Sequence, residues 1–386
     1  MLLPDYQGTS IVNLLSSLIT GLGGEPNGYA PLDSLPAAEV SAYRNVVLVV
    51  VDGLGYEFLA RRGQGSLLRQ HLRSRMTSVF PSTTATAITS FLTGLAPQQH
   101  GLTGWHMYFK ELGTVLAVLP GTPRYGGTPV GKCGIEMERL LGHVPMFNRI
   151  PLPSYIVSPR RIAHSDFNLA HQGRAELRAF DTLEQFFTVI AQTLRKDKRR
   201  KFIYAYWPEL DHIGHENGLD SPEAEQHLTE LDGALGVFLE SIPGTDTLLV
   251  IAADHGQIDS SATRVIELDD HPDLSECLIL PLCGERRAAY CYVKSGDAHR
   301  FERYVQDNLT PYLELHPSRD LLASGCFGLG APHPRLAERI GDYALIMKEN
   351  YVIKDWLPGE RRYRQIGVHG GTSPEEMFVP LIVAAA

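Results

Sequence analysis

The chain has 386 residues, 44% of them hydrophobic, and a formal net charge of −9. That much apolar material fills one large core or two smaller ones, and the acidic balance excludes a general nucleic-acid surface, which needs concentrated Lys and Arg. The five cysteines (Cys133, Cys277, Cys283, Cys291 and Cys326) are odd in number and form no C-x-x-C pair, so reduced thiols in a cytoplasmic protein are expected rather than a disulfide framework.

In chain order, the opening M-L-L-P-D-Y carries no basic segment, and the apolar run 11–22 is interrupted by Asn13, Ser16, Ser17 and Thr20. It predicts an amphipathic helix, with neither a signal peptide nor a bilayer span, and no membrane partner is expected. A Pro- and Gly-rich link, 23–36, follows. Asn45–Val51, N-V-V-L-V-V-V, is a β-branched run of the kind buried on both faces of a sheet, and it ends in Asp52-Gly53. Residues 54–71 are expected to be helical and 76–80 a short strand.

The stretch 80–94, F-P-S-T-T-A-T-A-I-T-S-F-L-T-G, reads as a loop turning into a helix. Pro81 closes the preceding segment, Ser82 and Thr83 offer N-cap hydroxyls, and Ala85, Ala87, Ile88, Phe91 and Leu92 recur at helical spacing. Thr84 is thereby placed at a helix N-terminus, where free N–H groups and the positive end of the helix dipole favour an anion.

Residues 106–200 read as insertions covering one edge of the sheet, with a basic cluster at 195–201 that is most simply a solvated helix end. The segment 202–207, F-I-Y-A-Y-W, is a second buried strand, and it runs into Asp211-His212-Ile213-Gly214-His215. A helix is expected over 221–241. Thr247–Ala252 is a third buried strand and delivers Asp254-His255-Gly256. Further on come a strand near 288–293, a helix near 298–309 and an apolar run at Tyr343–Met347. His369 lies in a glycine-rich loop before a final strand. The expected fold is α/β, a largely parallel central sheet with helices on both faces, in one catalytic domain over 1–386 with insertions at about 106–200 and 260–340.

Asp52, Asp211 and Asp254 each follow the end of a buried strand, and a parallel sheet brings those ends to one rim. Carboxylates gathered there repel one another unless a divalent cation joins them. His215, His255 and His369 fall near the same rim, and a mixed Asp/His set suits zinc or a similar metal. The step from Asp211 to His215 brings both onto one side of a helical turn, and Asp254 and His255 can face one ion together only from a loop. His100, His106, His164, His171 and His212 are not assigned to metal.

The ordered set V-V-V-D52-G, P81-S-T-T84, T93-G-L-A-P-Q-Q-H100-G, D211-H-I-G-H215, D254-H255-G and H369-G-G resembles the alkaline phosphatase superfamily, most of all its nucleotide pyrophosphatase/phosphodiesterase branch, from about residue 45 to the C-terminus. The family nucleophile stands nine residues before the Thr of the T-G pair, and counting back from Thr93 gives Thr84 rather than Thr83 or Thr86. The resemblance implies two zinc ions, with manganese or iron as alternatives. One is held by Asp52, Asp254 and His255 with the Thr84 oxygen, the other by Asp211, His215 and His369.

It also implies hydrolysis of a small phosphate ester or nucleotide through a covalent phospho-threonine, with no nucleic acid polymer as partner. The sulfatase branch lacks its C/S-x-P-x-R run here, and the phosphomutase branch its usual Ser or Thr context. An intact Thr84 and six ligands argue against a dead binding module. One departure bears on substrate class: where the branch commonly has an Asn that contacts a phosphate oxygen, this chain has Trp105, which offers one indole N–H, a stacking face or core packing. A phosphomonoesterase or phosphonate hydrolase is therefore the alternative to a phosphodiesterase.

Overall fold

The computed structural model describes residues 1–196 and 198–386. Asp197, inside the basic cluster read from the sequence, lies outside the described residues.

Asn45–Val51 occupies the middle of a seven-stranded sheet whose order is Leu72–Thr77, Phe378–Ala385, Thr247–Ala252, Asn45–Val51, Lys201–Trp207, Ser154–Pro159 and Glu176–Phe180. All seven residues of the central strand are buried, and each fully buried Val or Leu side chain contributes roughly 1.5–3 kcal/mol. That burial is why the β-branched run has no polar face. Its neighbours on both sides run parallel to it, with Val51 opposite Trp207 and Val50 opposite Ala252. The register sets the C-terminal ends of the three strands level. Phe378–Ala385 is antiparallel to its two neighbours.

A second, antiparallel sheet is assembled from distant parts of the chain: Leu313–Pro317, Tyr343–Met347, Ala288–Cys291, Cys283–Gly284, His106–Phe109, Thr114–Ala117 and Thr122–Pro123. Segments from both expected insertions pair in this sheet together with Tyr343–Met347, which lies outside their expected bounds. The expectation for 106–200 is otherwise corrected, because Ser154–Pro159 and Glu176–Phe180 are parallel strands of the central sheet. Prolines at 151, 153 and 159 and two serines disguise a strand that is buried along its whole length.

Four further expectations change. The helix Ile11–Gly21 is buried at Asn13, Ser16 and Ser17 as well as at its apolar positions. Those polar groups bind the link that follows: Asn13 Nδ2 donates to the Tyr6 and Ala30 carbonyls, Ser16 Oγ donates to Tyr29 O at 2.6 Å, and Ser17 Oγ accepts from Leu32 N at 2.7 Å. Residues 54–71 form two short helices, Tyr56–Arg62 and Leu67–Gln70. The strand expected at 76–80 is Leu72–Thr77, since pairing with Phe378–Ala385 ends at Thr77. Within the basic cluster, Lys201 is buried at a strand start and its Nζ donates to Asn45 Oδ1 at 2.9 Å.

The loop carrying His369 is fixed by a buried ion pair between a turn of the second sheet and the short helix Pro374–Met377. Arg287 and Glu376 are 1% and 0% exposed and meet in a two-pronged contact, Nε–Oε1 at 3.0 Å and Nη2–Oε2 at 2.7 Å. Gly371 N also donates to Glu376 Oε1 at 2.7 Å, and Arg287 Nη1 donates to Tyr351 O. Burial works to raise the Glu376 pKa, but the Arg287 guanidinium beside it wins and holds the carboxyl below its usual range. This contribution to stability is therefore present above the ordinary carboxylate pKa and is lost as pH falls through the lowered value.

Removing one partner leaves a buried charge unpaired, which costs about 3–5 kcal/mol. Glu376→Gln is expected to lower the urea unfolding free energy at pH 7 by that amount. A loss below about 1 kcal/mol, on the scale of a surface ion pair, would show that the pair does not fix the loop.

Candidate active site

The three level strand ends place their carboxylates as the sequence suggests. Asp52 follows Val51 directly and is 2% exposed. Gly53 adopts φ 76°, and a Cβ there would stand 3.0 Å from the Asp211 Cα. Glycine thus lets the turn after the central strand approach the neighbouring Asp211 segment. Asp254 and His255, both fully buried, lie on the loop after Thr247–Ala252. Asp254 Oδ1 accepts from the backbone N–H of Gly53 at 3.2 Å and of His255 at 3.0 Å, which aims Oδ2 into the site.

Asp211 and His215 lie on one side of the helix Glu209–Asn217, with His215 Nε2 3.3 Å from Asp211 Oδ2. His369 Nε2 is 3.3 Å from His215 Nε2 and 3.7 Å from Asp211 Oδ1. Backbone carbonyls fix the tautomers of two imidazoles: His215 Nδ1 donates to Gly367 O at 2.7 Å and His255 Nδ1 to Gly256 O at 3.0 Å. Each then presents the Nε2 lone pair to the site, as a metal-ligating His requires.

Thr84 is the first residue of the helix Thr84–Thr93. The expected caps are corrected, because no side chain caps this helix. Ser82 Oγ donates to Gly371 O, and Thr83 Oγ1 donates to Glu285 Oε1 at 2.7 Å. With its caps engaged elsewhere, the helix start keeps its positive end for a ligand. Thr84 Oγ1 lies 3.0 Å from His255 Nε2, and because Nδ1 carries the His255 proton, the hydroxyl is the donor of that bond.

His255 Nε2 also stands 3.4 Å from Asp52 Oδ1 and 3.3 Å from Asp254 Oδ2. Among the described residues two groups bring ligand atoms within 4.8 Å of one another: Asp52, Asp254 and His255, and Asp211, His255 and His369. His255 belongs to both groups, so the two halves of the site are contiguous. Of the other histidines, His164 and His212 are exposed, and His100 and His171 are buried and bonded to Ser90 and to Phe167 O. His106 lines the cleft, and burial pulls its pKa down to about 3.

The electrostatics express the strain of this gathering. Burial, then Asp254 and Asp211, push the Asp52 carboxyl well above its usual range, and burial likewise raises Asp254. Burial, then His255 and His215, lower His369 well below an ordinary imidazole. Asp52 Oδ1 and Asp254 Oδ2 are buried oxygens with no hydrogen-bond donor. Two such orphans facing an imidazole lone pair are what a cation would satisfy.

Several residues around the site carried no sequence signal. The Tyr206 hydroxyl donates to Asp52 Oδ2, and Gln257 Nε2 donates to Asp211 Oδ1 and to Asp211 O. Glu285 accepts from Thr83 and from the Trp105 backbone N–H at 2.7 Å, and burial pushes its pKa up to about 7. Trp105 itself is 38% exposed at the wall of a cleft of about 900 Å³ that opens over Thr84 and also takes in Arg124, Arg286, Lys354 and Tyr363.

A largely parallel sheet whose C-terminal rim carries such a carboxylate–imidazole cluster, opposite a threonine at a helix start, is an alkaline phosphatase-like fold. The chain belongs to the type I phosphodiesterase / nucleotide pyrophosphatase family, whose profile matches residues 46–372. It is thus a hydrolase of a metal-dependent family. An uncharacterised pyrophosphatase/phosphodiesterase of Schizosaccharomyces pombe is 22% identical over 88% of this chain and 70% of its own length. Murine ectonucleotide pyrophosphatase/phosphodiesterase 5 superposes with a TM-score of 0.68 at 18% identity over 87% of each chain. Phosphonoacetate hydrolase of Sinorhizobium meliloti, solved with phosphonoformate, gives 0.65 at 19% identity over 89% of this chain and 90% of its own. At these identities the likeness to the two solved structures is one of fold. No helix among the described residues is long and apolar enough to cross a membrane.

A carboxyl whose folded pKa is raised contributes stability below its unfolded pKa that is lost as pH rises through the folded value. The metal-free protein therefore carries a penalty at Asp52 and Asp254 near neutrality that a divalent cation removes. Zinc added to chelator-treated protein is expected to raise the melting temperature, and by more at pH 7.5 than at pH 5.5. At 100 times Kd the gain is about 2.7 kcal/mol. An unchanged melting curve at pH 7.5 would remove these residues as a metal site.

Proposed function

We propose that this chain is a two-zinc phosphoric ester hydrolase, a phosphodiesterase or nucleotide pyrophosphatase, with Thr84 as nucleophile. The observation that carries the reading is Thr84 Oγ1 at 3.0 Å from His255 Nε2, beside the orphaned oxygens of Asp52 and Asp254. The donor set fits the metal, since deprotonated carboxylates and Nε2 lone pairs are ligands zinc accepts. Asp52, Asp254, His255 and Thr84 would hold one ion, and Asp211, His215 and His369 the other. When bound, the pair supplies positive charge that lowers the proton affinity of the Thr84 hydroxyl and offsets charge on the departing oxygen.

Thr84 Oγ attacks phosphorus, a P–O bond forms, and the bond to the leaving alcohol or nucleotide breaks. The resulting phospho-threonine is then hydrolysed by water, which breaks the P–Oγ bond and restores Thr84. Throughout, the uncapped start of Thr84–Thr93 faces the phosphoryl oxygens with its N–H groups and dipole. The cleft of about 900 Å³ far exceeds a phosphate and accommodates a sizeable leaving group. The five free thiols support a cytoplasmic setting.

A phosphomonoesterase or phosphonate hydrolase is the second reading, and Trp105 favours it. The one conjugated group at that position is an indole, and the Trp105 backbone N–H is engaged by Glu285. Steady-state hydrolysis of bis-p-nitrophenyl phosphate and p-nitrophenyl phosphate by zinc-loaded protein separates the readings. The diester is expected to be the better substrate, and Thr84→Ala to lower kcat by at least about 10³-fold. A monoester preference would select the second reading. Unchanged turnover in Thr84→Ala would exclude Thr84 as nucleophile.

A further inference from the structure

One wall of the cleft holds two cations, Arg286 at a turn of the second sheet and Lys354 at the end of the short strand Val352–Lys354, that form no ion pair among the described residues. Arg286 and Lys354 are held side by side by the backbone bond from Ile353 N to Arg286 O at 2.9 Å. Lys354 is 6% exposed, and its Nζ donates to Tyr363 O at 3.2 Å and lies 5.3 Å from the centre of the Trp356 ring. Arg286 donates through Nη1 to Gln365 Oε1, and its guanidinium carbon is 4.7 Å from the centre of the Tyr363 ring. Neither is in an ion pair among the described residues.

The nearby carboxylates are already engaged. Asp355 and Glu360 bind Arg124 at 2.8 and 3.0 Å, Glu267 accepts from Trp356 Nε1 at 2.6 Å, and Glu285 accepts from Thr83 and Trp105. The contrast with Arg124, in the same cleft and fully paired, marks the other two as built for something else. Burial, then Arg286, pull the Lys354 ammonium down to about 8, and burial lowers Arg286. Two adjacent cations withdrawn from water cost free energy until an anion joins them.

We propose that Arg286 and Lys354 form a second oxyanion subsite, so that the substrate carries a carboxylate or phosphate group in addition to the phosphoryl group that reacts at Thr84. The inference rests on the reading that Thr84 and its Asp/His cluster take the reacting phosphoryl group. Glu285, which touches Thr83, is the chain neighbour of Arg286, so one cleft wall serves both anions. The guanidinium fork and the ammonium donate charge-assisted hydrogen bonds to the second oxyanion. The rings of Trp356 and Tyr363 screen the two cations from one side. The subsite selects substrates with a second, separate anionic group over esters of neutral alcohols.

The test is calorimetric titration of zinc-loaded Thr84→Ala protein with alkylphosphonates, phosphonoalkanoates and alkane diphosphonates of two and four carbons. Ligands with a second anion are expected to bind at least about tenfold more tightly than the alkylphosphonate of equal length. The double variant Arg286→Gln/Lys354→Gln should abolish that advantage and leave alkylphosphonate affinity within about twofold. Lys354→Met, which keeps the aliphatic packing, should remove several-fold of it alone. The ratio of carboxylate to diphosphonate affinity shows which oxyanion the subsite takes. Equal affinities in the parent protein, or an advantage that survives in the double variant as metal chelation would, overturn the proposal. Ester turnover by the Thr84 protein is read separately, so failure of the hydrolase reading is distinguishable from failure of the subsite.

Discussion

The repulsion among Asp52, Asp211 and Asp254 is the constraint around which the rest of the molecule is arranged. Three carboxylates at one rim, two of them buried, would not stay together without compensation. The sheet imposes their proximity through its register, so the cost is met by core burial rather than by contacts in the site itself. Local donors then hold each carboxylate by one oxygen: Tyr206 on Asp52, two backbone N–H groups on Asp254, and Gln257 on Asp211. The free oxygens of Asp52 and Asp254 remain turned inward without a donor. An arrangement strained in this way favours a cation over a collapsed, fully hydrogen-bonded alternative.

The second sheet supplies what the rim lacks. It delivers Glu285 to Thr83 and Trp105, and it anchors the loop of His369 through Arg287 and Glu376. Arg286 and Arg287 are adjacent in sequence yet have opposite roles. They are the two central residues of the tight turn between Cys283–Gly284 and Ala288–Cys291, where Glu285 and Ala288 exchange backbone hydrogen bonds, and the Arg287 side chain is buried on Glu376 while Arg286 lines the cleft. The ion pair on the inner side therefore also determines how the outer cation is presented.

This division explains what was legible in the sequence. Asn45–Val51, Lys201–Trp207 and Thr247–Ala252 announce themselves because strands buried on both faces must be apolar at every position, and the aspartates that end them stand out for that reason. The rim residues follow from those strands. Ser154–Pro159 escaped the same reasoning because prolines and serines interrupt its pattern. The helix Ile11–Gly21 seemed two-faced because its buried polar groups bind backbone rather than water. Glu285, Arg286, Lys354 and Tyr363 had no signal at all. Glu285 and Arg286 lie at a turn of the antiparallel sheet, Lys354 on a strand paired in parallel with Val265–Glu267, and Tyr363 on a loop near the C-terminus, and single charged residues in such segments look like solvated surface until the chain is folded.

The charge pattern of the cleft follows from the same architecture. At one end the uncapped helix start gives Thr84 a positive field, and the carboxylate–imidazole cluster below it requires cations. At another, Arg286 and Lys354 form no ion pair among the described residues, while Asp355 and Glu360 are taken by Arg124. Ile88, Leu92 and Phe167 line a further part of the wall and offer no charge. A ligand with a single anionic group could satisfy only one of the two positive regions, and the unsatisfied one would retain its desolvation cost. Selection by the spacing of two anions across one cleft therefore requires no recognition of the leaving group's detailed shape, which fits a wall built from a few fixed side chains on paired strands.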